Sequence, residues 1–247
     1  MFNFIKIHAC GNDFVIIFKN KKKIFLKKIL NKKTNLSCDQ LLIVKSINLK
    51  NNSINIKIYN NNLLEAQNCG NGIRCLAWYF LNKKKKKKII NFNLNNNFIY
   101  SFKNKNTYTF YKIPNINSIY IRIKKFFFKI FFVNLINLHL VFVIKNINSC
   151  LLKFLSKTII YYFGDKYNIE FVQLLKKNNI YIRIFEKNVG ETYSCGSGII
   201  SSISCIKNFF FLNNFKINSI GGFCFIKFIK KFVIIYGKVI FCFFGYI

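Results

Sequence analysis

Gln67-Asn68-Cys69-Gly70-Asn71-Gly72-Ile73-Arg74 has an echo in Tyr193-Ser194-Cys195-Gly196-Ser197-Gly198-Ile199-Ile200. Superimposing Cys69 on Cys195, an offset of 126 positions, needs no gap to lay Ile56-Lys57-Ile58-Tyr59 on Ile182-Arg183-Ile184-Phe185 and Glu65 on Glu191. Self-similarity of this length predicts two domains of like fold facing each other, each carrying one Cys-Gly-x-Gly turn. The alternation of Ile54, Ile56 and Ile58 predicts a half-buried strand, and the residues after the glycines start a helix. The expected local order is strand, turn, cysteine, helix. Glycines there let backbone N–H groups approach an anion, and the positive end of a helix favours thiolate and carboxylate alike.

The 247 residues, 52% of them hydrophobic, suffice for one large or two modest domains with a real core. The net charge of +33 does not point to nucleic acid. Of the 40 basic residues 37 are lysines, scattered with Asn, Ile and Phe along the whole chain, a composition bias rather than a binding face. The residue types this bias makes scarce are informative by position. Of seven acids, Asp13, Asp39, Glu65, Glu186 and Glu191 fall in motif stretches, and Asp165 and Glu170 bracket one more. Gly11, Gly70, Gly72, Gly190, Gly196 and Gly198 likewise cluster there.

Nine cysteines with no Cys-x-x-Cys pair, and only two histidines, argue against a metal site. With no secretory leader pattern the expected compartment is a reducing cytoplasm. The apolar stretch from Phe232 to Ile247 is interrupted by Lys238 and is shorter than the roughly 18 to 20 residues of a membrane-spanning helix; buried strands are expected, and no membrane. Cys150, Cys205, Cys224 and Cys242 read as buried apolar cysteines, and Cys10 and Cys75 as structural.

Residues 2–18 read as strand, turn, strand around the polar elbow His8-Ala9-Cys10-Gly11-Asn12-Asp13, the candidate site loop. A Lys-rich helical stretch follows, then Cys38-Asp39-Gln40-Leu41-Leu42-Ile43-Val44 enters a strand whose polar mouth suits a pocket. The run Lys83 to Lys88 reads as a solvated loop. Pro114, the one proline, marks the crossover between domains 1–115 and 116–235, with a C-terminal strand at about 236–247 returning to the first. Within the apolar run 131–144, Asn137 and His139 stand two apart and are expected on one strand face. A helix, a strand from Asn168, the second repeat copy at 180–207 and terminal strands around a Gly221-Gly222 turn complete the chain.

Taken together these motifs resemble the diaminopimelate epimerase family from nearly the first residue to the last. His8-Ala9-Cys10-Gly11-Asn12-Asp13-Phe14 resembles the family's H-G-x-G-N-D-F, Asp39-Gln40-Leu41-Leu42 its D-Q-L-L, and Asn68 to Arg74 its Q-C-G-N-G-A-R. Gly190-Glu191-Thr192 with Cys195-Gly196-Ser197-Gly198 resembles its G-E-T-x-A-C-G-S-G. The resemblance implies an α/β (α+β) fold of two pseudo-symmetric domains, each a strand-rich barrel-like sheet around a central helix, with the active site in the cleft between them. It implies an isomerase that needs no cofactor and interconverts LL- and meso-diaminopimelate, a precursor of lysine and peptidoglycan, and a homodimer.

By the same resemblance Cys69 and Cys195 are the thiolate base and thiol acid, and His139 and Glu186 tune them. Substrate contacts carry over to Asn12, Gln40, Asn60, Gly70, Asn71, Asn137, Asn168, Glu186, Lys187, Gly196 and Ser197. The chemistry agrees: an amino-acid α-proton is weakly acidic, so the developing carbanion needs electrostatic stabilisation, and a thiol pair must be split by unlike neighbours. The chain departs from the family pattern at Ile136-Asn137-Leu138-His139, where the family has G-N-P-H. Lys187 replaces an arginine, exchanging a bidentate fork for a point charge. Two rival readings are a proline-type racemase of the same fold group, against which the Asn-Cys-Gly-Asn-Gly form argues, and a basic nucleic-acid-binding protein, against which three arginines and no basic-aromatic motif argue.

Overall fold

The computed structural model describes residues 3–18, 23–30, 36–83, 89–123, 126–148, 151–209 and 212–246. Its elements are β1 (Asn3–Ala9), β2 (Asn12–Phe18), α1 (Lys23–Leu30), β3 (Gln40–Asn48), β4 (Ser53–Asn60), β5 (Glu65–Ala66), α2 (Gly70–Lys83), β6 (Ile89–Leu94), β7 (Asn97–Lys103) and β8 (Thr107–Lys112). They continue as β9 (Asn115–Ile123), β10 (Phe126–Asn134), β11 (Leu138–Val143), α3 (Leu152–Phe163), β12 (Asn168–Lys176), β13 (Asn179–Glu186) and β14 (Gly190–Thr192). After α4 (Gly196–Ile206) and a 3₁₀ turn come β15 (Asn214–Ser219), β16 (Gly222–Ile229), β17 (Phe232–Tyr236) and β18 (Ile240–Tyr246). Two compact units result, residues 1–110 with 236–247, and residues 111–235.

The two units repeat one wiring scheme. In the first, β2 runs parallel to β3, β3 is antiparallel to β4, and β4 pairs antiparallel with β5 and parallel with β6. In the second, β11 and β12, β12 and β13, β13 and β14, and β13 and β15 repeat those relations in the same order. β4 and β13 coincide under the 126-residue offset (53–60 onto 179–186), and both bury every second residue: Ile54, Ile56 and Ile58 in one, Ile180, Ile182 and Ile184 in the other.

The parallel strands read differently, as continuous apolar runs, because they are covered on both faces. Val15, Ile17, Leu41 and Ile43 pack with Leu26, Ile29 and Leu30 of α1. Phe14 and Leu42, the alternate residues of the same strands, lie against Gly72 of α2. In the second unit Ile169 and Phe171 pack with Leu152 and Ile159 of α3, while Glu170 lies against Gly198 of α4. α2 packs on β1, β2, β6 and β7, and α4 on β10, β11 and β12. α4 is buried along its whole length, as the central helix of a wrapped sheet must be.

Four expectations need correcting. Asn137 lies in the bend at 135–137 and only His139 is in β11, so the two do not share a strand face; the chain must reverse between antiparallel β10 and β11, and that turn consumes Asn137. The C-terminal run forms strands, but only β17 is buried. In β18, Phe243, Phe244 and Tyr246 are exposed, because the strand's apolar side chains point to both faces of an outer strand paired to β1. Cys242 is exposed on that strand for the same reason. Lys83 ends α2 rather than opening a loop, whereas residues 84–88 and Cys150 lie outside the described residues.

Candidate active site

Each repeated cysteine immediately precedes a buried helix and accepts its first backbone hydrogen bond. Ile73 N–H donates to the Cys69 carbonyl at 2.9 Å and Gly72 N–H to its sulfur at 3.3 Å. Ile199 N–H donates to the Cys195 carbonyl at 2.9 Å, and Cys195 occupies the N-cap position of α4 without a side-chain cap hydrogen bond. Both thiols thus stand at the positive end of a helix, where negative charge is favoured, and Cys69 also takes one of the orphan amide donors there.

Gly72 and Gly198 are required by packing rather than by backbone sign. A Cβ on Gly72 would stand 2.9 Å from Leu42 Cδ2, and one on Gly198 would stand 2.6 Å from Glu170 Oε1. Positive φ is used instead at Cys10 (52°) and Gly11 (74°), the two loop residues between β1 and β2. Two consecutive left-handed residues make the tight hairpin turn that suits strand twist.

That hairpin delivers Asn12 to Cys69. The Cys69 thiol donates to Asn12 Oδ1 at 3.8 Å, and Asn12 Nδ2 donates to Asp39 Oδ2 at 2.9 Å. Asp39 Oδ2 also accepts from Asp13 N–H at 3.0 Å, and Asp13 Oδ1 accepts from Asp39 N–H at 2.9 Å. Lys6 bridges Asp13 and the Ser37 carbonyl. Sequence reading missed Lys6; its signal was a lysine between Ile5 and Ile7 on a strand otherwise heading into the core. Gln40 Nε2 donates to Asn60 Oδ1 at 2.7 Å, joining the first residue of β3 to the last of β4 at the same sheet end. Gly70 and Asn71 open α2, and Asn71 Oδ1 accepts from the buried Arg74 at 3.1 Å. Asn68, also buried, has neither amide atom bonded to a partner among the described residues.

The second unit places its polar residues at the equivalent sheet end. His139 pairs with Asn168, the first residue of β12, and Glu186 ends β13. Asn168 Oδ1 accepts from Lys187 N–H at 2.9 Å, while the Lys187 side chain is exposed. Ser197 Oγ lies 3.3 Å from Cys195 Sγ. Glu186 accepts from Thr192 Oγ1 at 2.8 Å, and its carboxylate acts on the neighbouring Cys195 thiol. Desolvation and then the Glu186 charge push the Cys195 thiol well above its ordinary value, outweighing the Ser197 hydroxyl and the Gly198 amide. Desolvation, reinforced by Glu170, raises Glu186 as well. His139 and Glu186 therefore both lie in the unit that carries Cys195.

Other conspicuous residues serve the frame. Lys57 Nζ and Glu65 Oε2 are 2.8 Å apart, and the offset partners Arg183 and Glu191 form a two-pronged pair at 2.7 and 3.0 Å, clamping each strand to the turn before its cysteine. Cys38, Cys75, Cys205 and Cys224 are buried; burial raises Cys38 to about 12 and lifts Cys75 and Cys205 too. Among the described residues no cluster of His, Cys, Asp or Glu is arranged to hold a metal ion.

The sequence profile of the family Diaminopimelate epimerase matches residues 4–108. The diaminopimelate epimerase of Buchnera aphidicola subsp. Baizongia pistaciae (strain Bp) is 32% identical over 253 aligned residues, spanning 89% of this chain and 85% of its own. That of Wigglesworthia glossinidia brevipalpis is 34% identical over 221, spanning 78% and 79%. A phenazine biosynthesis protein of the PhzF family from Enterococcus faecalis, 13% identical, superposes with a TM-score of 0.76 over 99% of this chain and 98% of its own, a likeness of fold. Repeat, thiol placement and relatives agree: the chain belongs to the diaminopimelate epimerase family.

Proposed function

We propose that the protein is a cofactor-independent isomerase that interconverts LL- and meso-diaminopimelate by proton transfer between two cysteines. The observation that carries this reading is the matched placement of Cys69 and Cys195 at the N-termini of two buried helices. In one direction the Cys69 thiolate takes the α-proton, breaking Cα–H and forming S–H. The electron pair left on Cα is delocalised into the α-carboxylate, which the amide donors of the helix starts stabilise. Cys195, held as a thiol by burial and Glu186, delivers its proton to the opposite face of Cα and becomes the thiolate. The reverse reaction exchanges the roles.

Asn12, Gln40, Asn60, Gly70 and Asn71 from the first unit, and Asn137, Asn168, Glu186, Lys187, Gly196 and Ser197 from the second, are proposed to orient the substrate. The product supplies lysine and peptidoglycan-precursor synthesis in the cytoplasm. No helix among the described residues is long and apolar enough to cross a membrane. Exposed Phe243, Phe244 and Tyr246 on β18 support self-association as a homodimer.

The test is deuterium incorporation at the α-carbon of LL-diaminopimelate in D₂O under reducing conditions, for wild type, Cys69→Ser and Cys195→Ser. Conversion with exchange in the wild type, falling about 10²- to 10⁴-fold in either variant, is the expected result. A folded wild-type protein that neither exchanges nor converts the substrate overturns the proposal.

A further inference from the structure

Pseudo-symmetry lets each unit serve as a control for the other. Leu42 pairs with Ile58 in the first unit and Glu170 pairs with Ile184 in the second; 58 and 184 are equivalent under the 126-residue offset, so Glu170 occupies the place of Leu42. By the same ladder, Phe14 pairs with Gln40 and His139 with Asn168 at the corresponding parallel strands, so His139 occupies the place of Phe14. In the first unit Phe14 and Leu42 both pack on Gly72. Two apolar side chains satisfy the fold at this layer; the second unit instead puts an imidazole and a carboxylate there.

The pair is fully enclosed. His139 and Glu170 are each 0% exposed, and His139 Nδ1 lies 2.7 Å from Glu170 Oε1. His139 Nε2 and Glu170 Oε2 have no partner among the described residues. A buried polar pair replacing a Phe–Leu contact is not a route to stability, since hydrophobic replacements of such pairs are often neutral or better. Its presence calls for chemistry. The titratable groups around Glu170 are His139 on β11, Glu186 on β13, and Cys195 and Cys205 at the two ends of α4. Glu170 also abuts Gly198 in the first turn of α4.

We propose that Glu170 is a positioning residue: it accepts the Nδ1 proton of His139, fixes that tautomer, and leaves Nε2 as the nitrogen that exchanges protons with the reacting centre. Which ring nitrogen is protonated is set by the bond the other makes, and Glu170 supplies the one such bond the described residues show. The difference between Phe14–Leu42 and His139–Glu170 then adds to the Asn60–Glu186 difference in making the two halves unlike, as a pair of thiols with opposite proton roles requires. The inference rests on the epimerase reading for its function, but not for its structural content.

The test is nitrogen-15 NMR of the full chain labelled at histidine. The chain has only two histidines, so His8→Gln assigns the remaining imidazole. In the wild type at neutral pH the His139 proton is expected on Nδ1. Glu170→Leu, which restores the sister unit's residue, is expected to move it to Nε2 and to lower kcat about 10- to 100-fold, with KM changed less than about threefold. Glu170→Gln, whose carbonyl can still accept, is expected to retain the Nδ1–H form and recover most of kcat. His139→Phe/Glu170→Leu, which copies the first unit, is expected to fold at least as stably as wild type and to be inactive. A wild-type His139 protonated on Nε2 alone overturns the proposal and needs no variant to fold. So does a Glu170→Leu protein with unchanged tautomer and unchanged kcat. Wild-type inactivity would remove the epimerase reading and leave the tautomer result to decide this one.

Discussion

Adding one methyl group at Gly198 tests the packing of the second unit against that of the first. The new Cβ would lie 2.6 Å from Glu170 Oε1 and 3.2 Å from its Cδ and Cγ, where ordinary contact begins at 3.4 Å. Glu170 is 0% exposed and bonded to an equally buried His139, so the carboxylate has nowhere to retreat without leaving its partner. Overpacking costs about 1–3 kcal/mol, and loss of a hydrogen bond to a charged group about 1.5–3 kcal/mol. Alanine returns up to about 1 kcal/mol of helix propensity. The net expectation for Gly198→Ala is a destabilisation of about 1.5–6 kcal/mol by combining those terms. At the sister position, Gly72→Ala meets Leu42 Cδ2 at 2.9 Å, a flexible side-chain end that can rotate aside. There the same bookkeeping, without the hydrogen-bond term, leaves about 0–3 kcal/mol. Urea unfolding followed by far-UV circular dichroism on both variants, and on Gly198→Ala combined with Glu170→Ala, reads the difference. The double variant should recover about 1–3 kcal/mol of the single-site cost, because the obstructing carboxylate is gone. Equal stability of Gly72→Ala and Gly198→Ala, or strict additivity in the double variant, would falsify this account of the Gly198–Glu170 contact.

Three further outcomes follow from the site geometry. Glu186→Gln removes a charge that raises the Cys195 thiol, so alkylation of Cys195 by iodoacetamide, read by peptide mass spectrometry, should shift to lower pH; a shift the other way would reverse the assigned cause. In the native protein, Cys242, exposed on β18, should react with a thiol reagent at pH 8 well before Cys38, whose thiol is buried and raised to about 12; equal rates would contradict the burial pattern. Gly11, at a φ of 74°, should resist a side chain: Gly11→Ala is expected to cost about 1–2 kcal/mol by the same urea assay, and an unchanged midpoint would argue against the left-handed hairpin turn.

How far the sequence reaches differs from motif to motif. The repeat was legible because its strongest segment runs without insertion: β4 onto β13, Glu65 onto Glu191, and Cys69 onto Cys195 keep one offset. Alternation at Ile54, Ile56 and Ile58 fixed which residues face inward, since side chains on a strand alternate whatever lies against them. The Cys-Gly-x-Gly turns announced helix starts through composition alone. Asn137 and His139 misled because two apolar-flanked polar residues look alike in a strand and in the turn that precedes one.

What lies opposite a buried face is a different kind of fact. Glu170 was visible as one of seven acids in an apolar run, but its partner His139 comes from a neighbouring strand 31 positions away, and its contact with Gly198 from a helix beyond that. Lys6 became part of the elbow only because β1 and β2 fold back beside the 36–39 segment. β18 is exposed because pairing with β1 leaves its apolar side chains on both faces of an outer strand. Local periodicity and backbone preference act between residues near in sequence, so the sequence determined the two strand–cysteine–helix units and their symmetry. Desolvation, partnering and steric contact act between residues brought together by the sheet, so only the tertiary structure decided that one half holds Phe14 and Leu42 where the other holds His139 and Glu170.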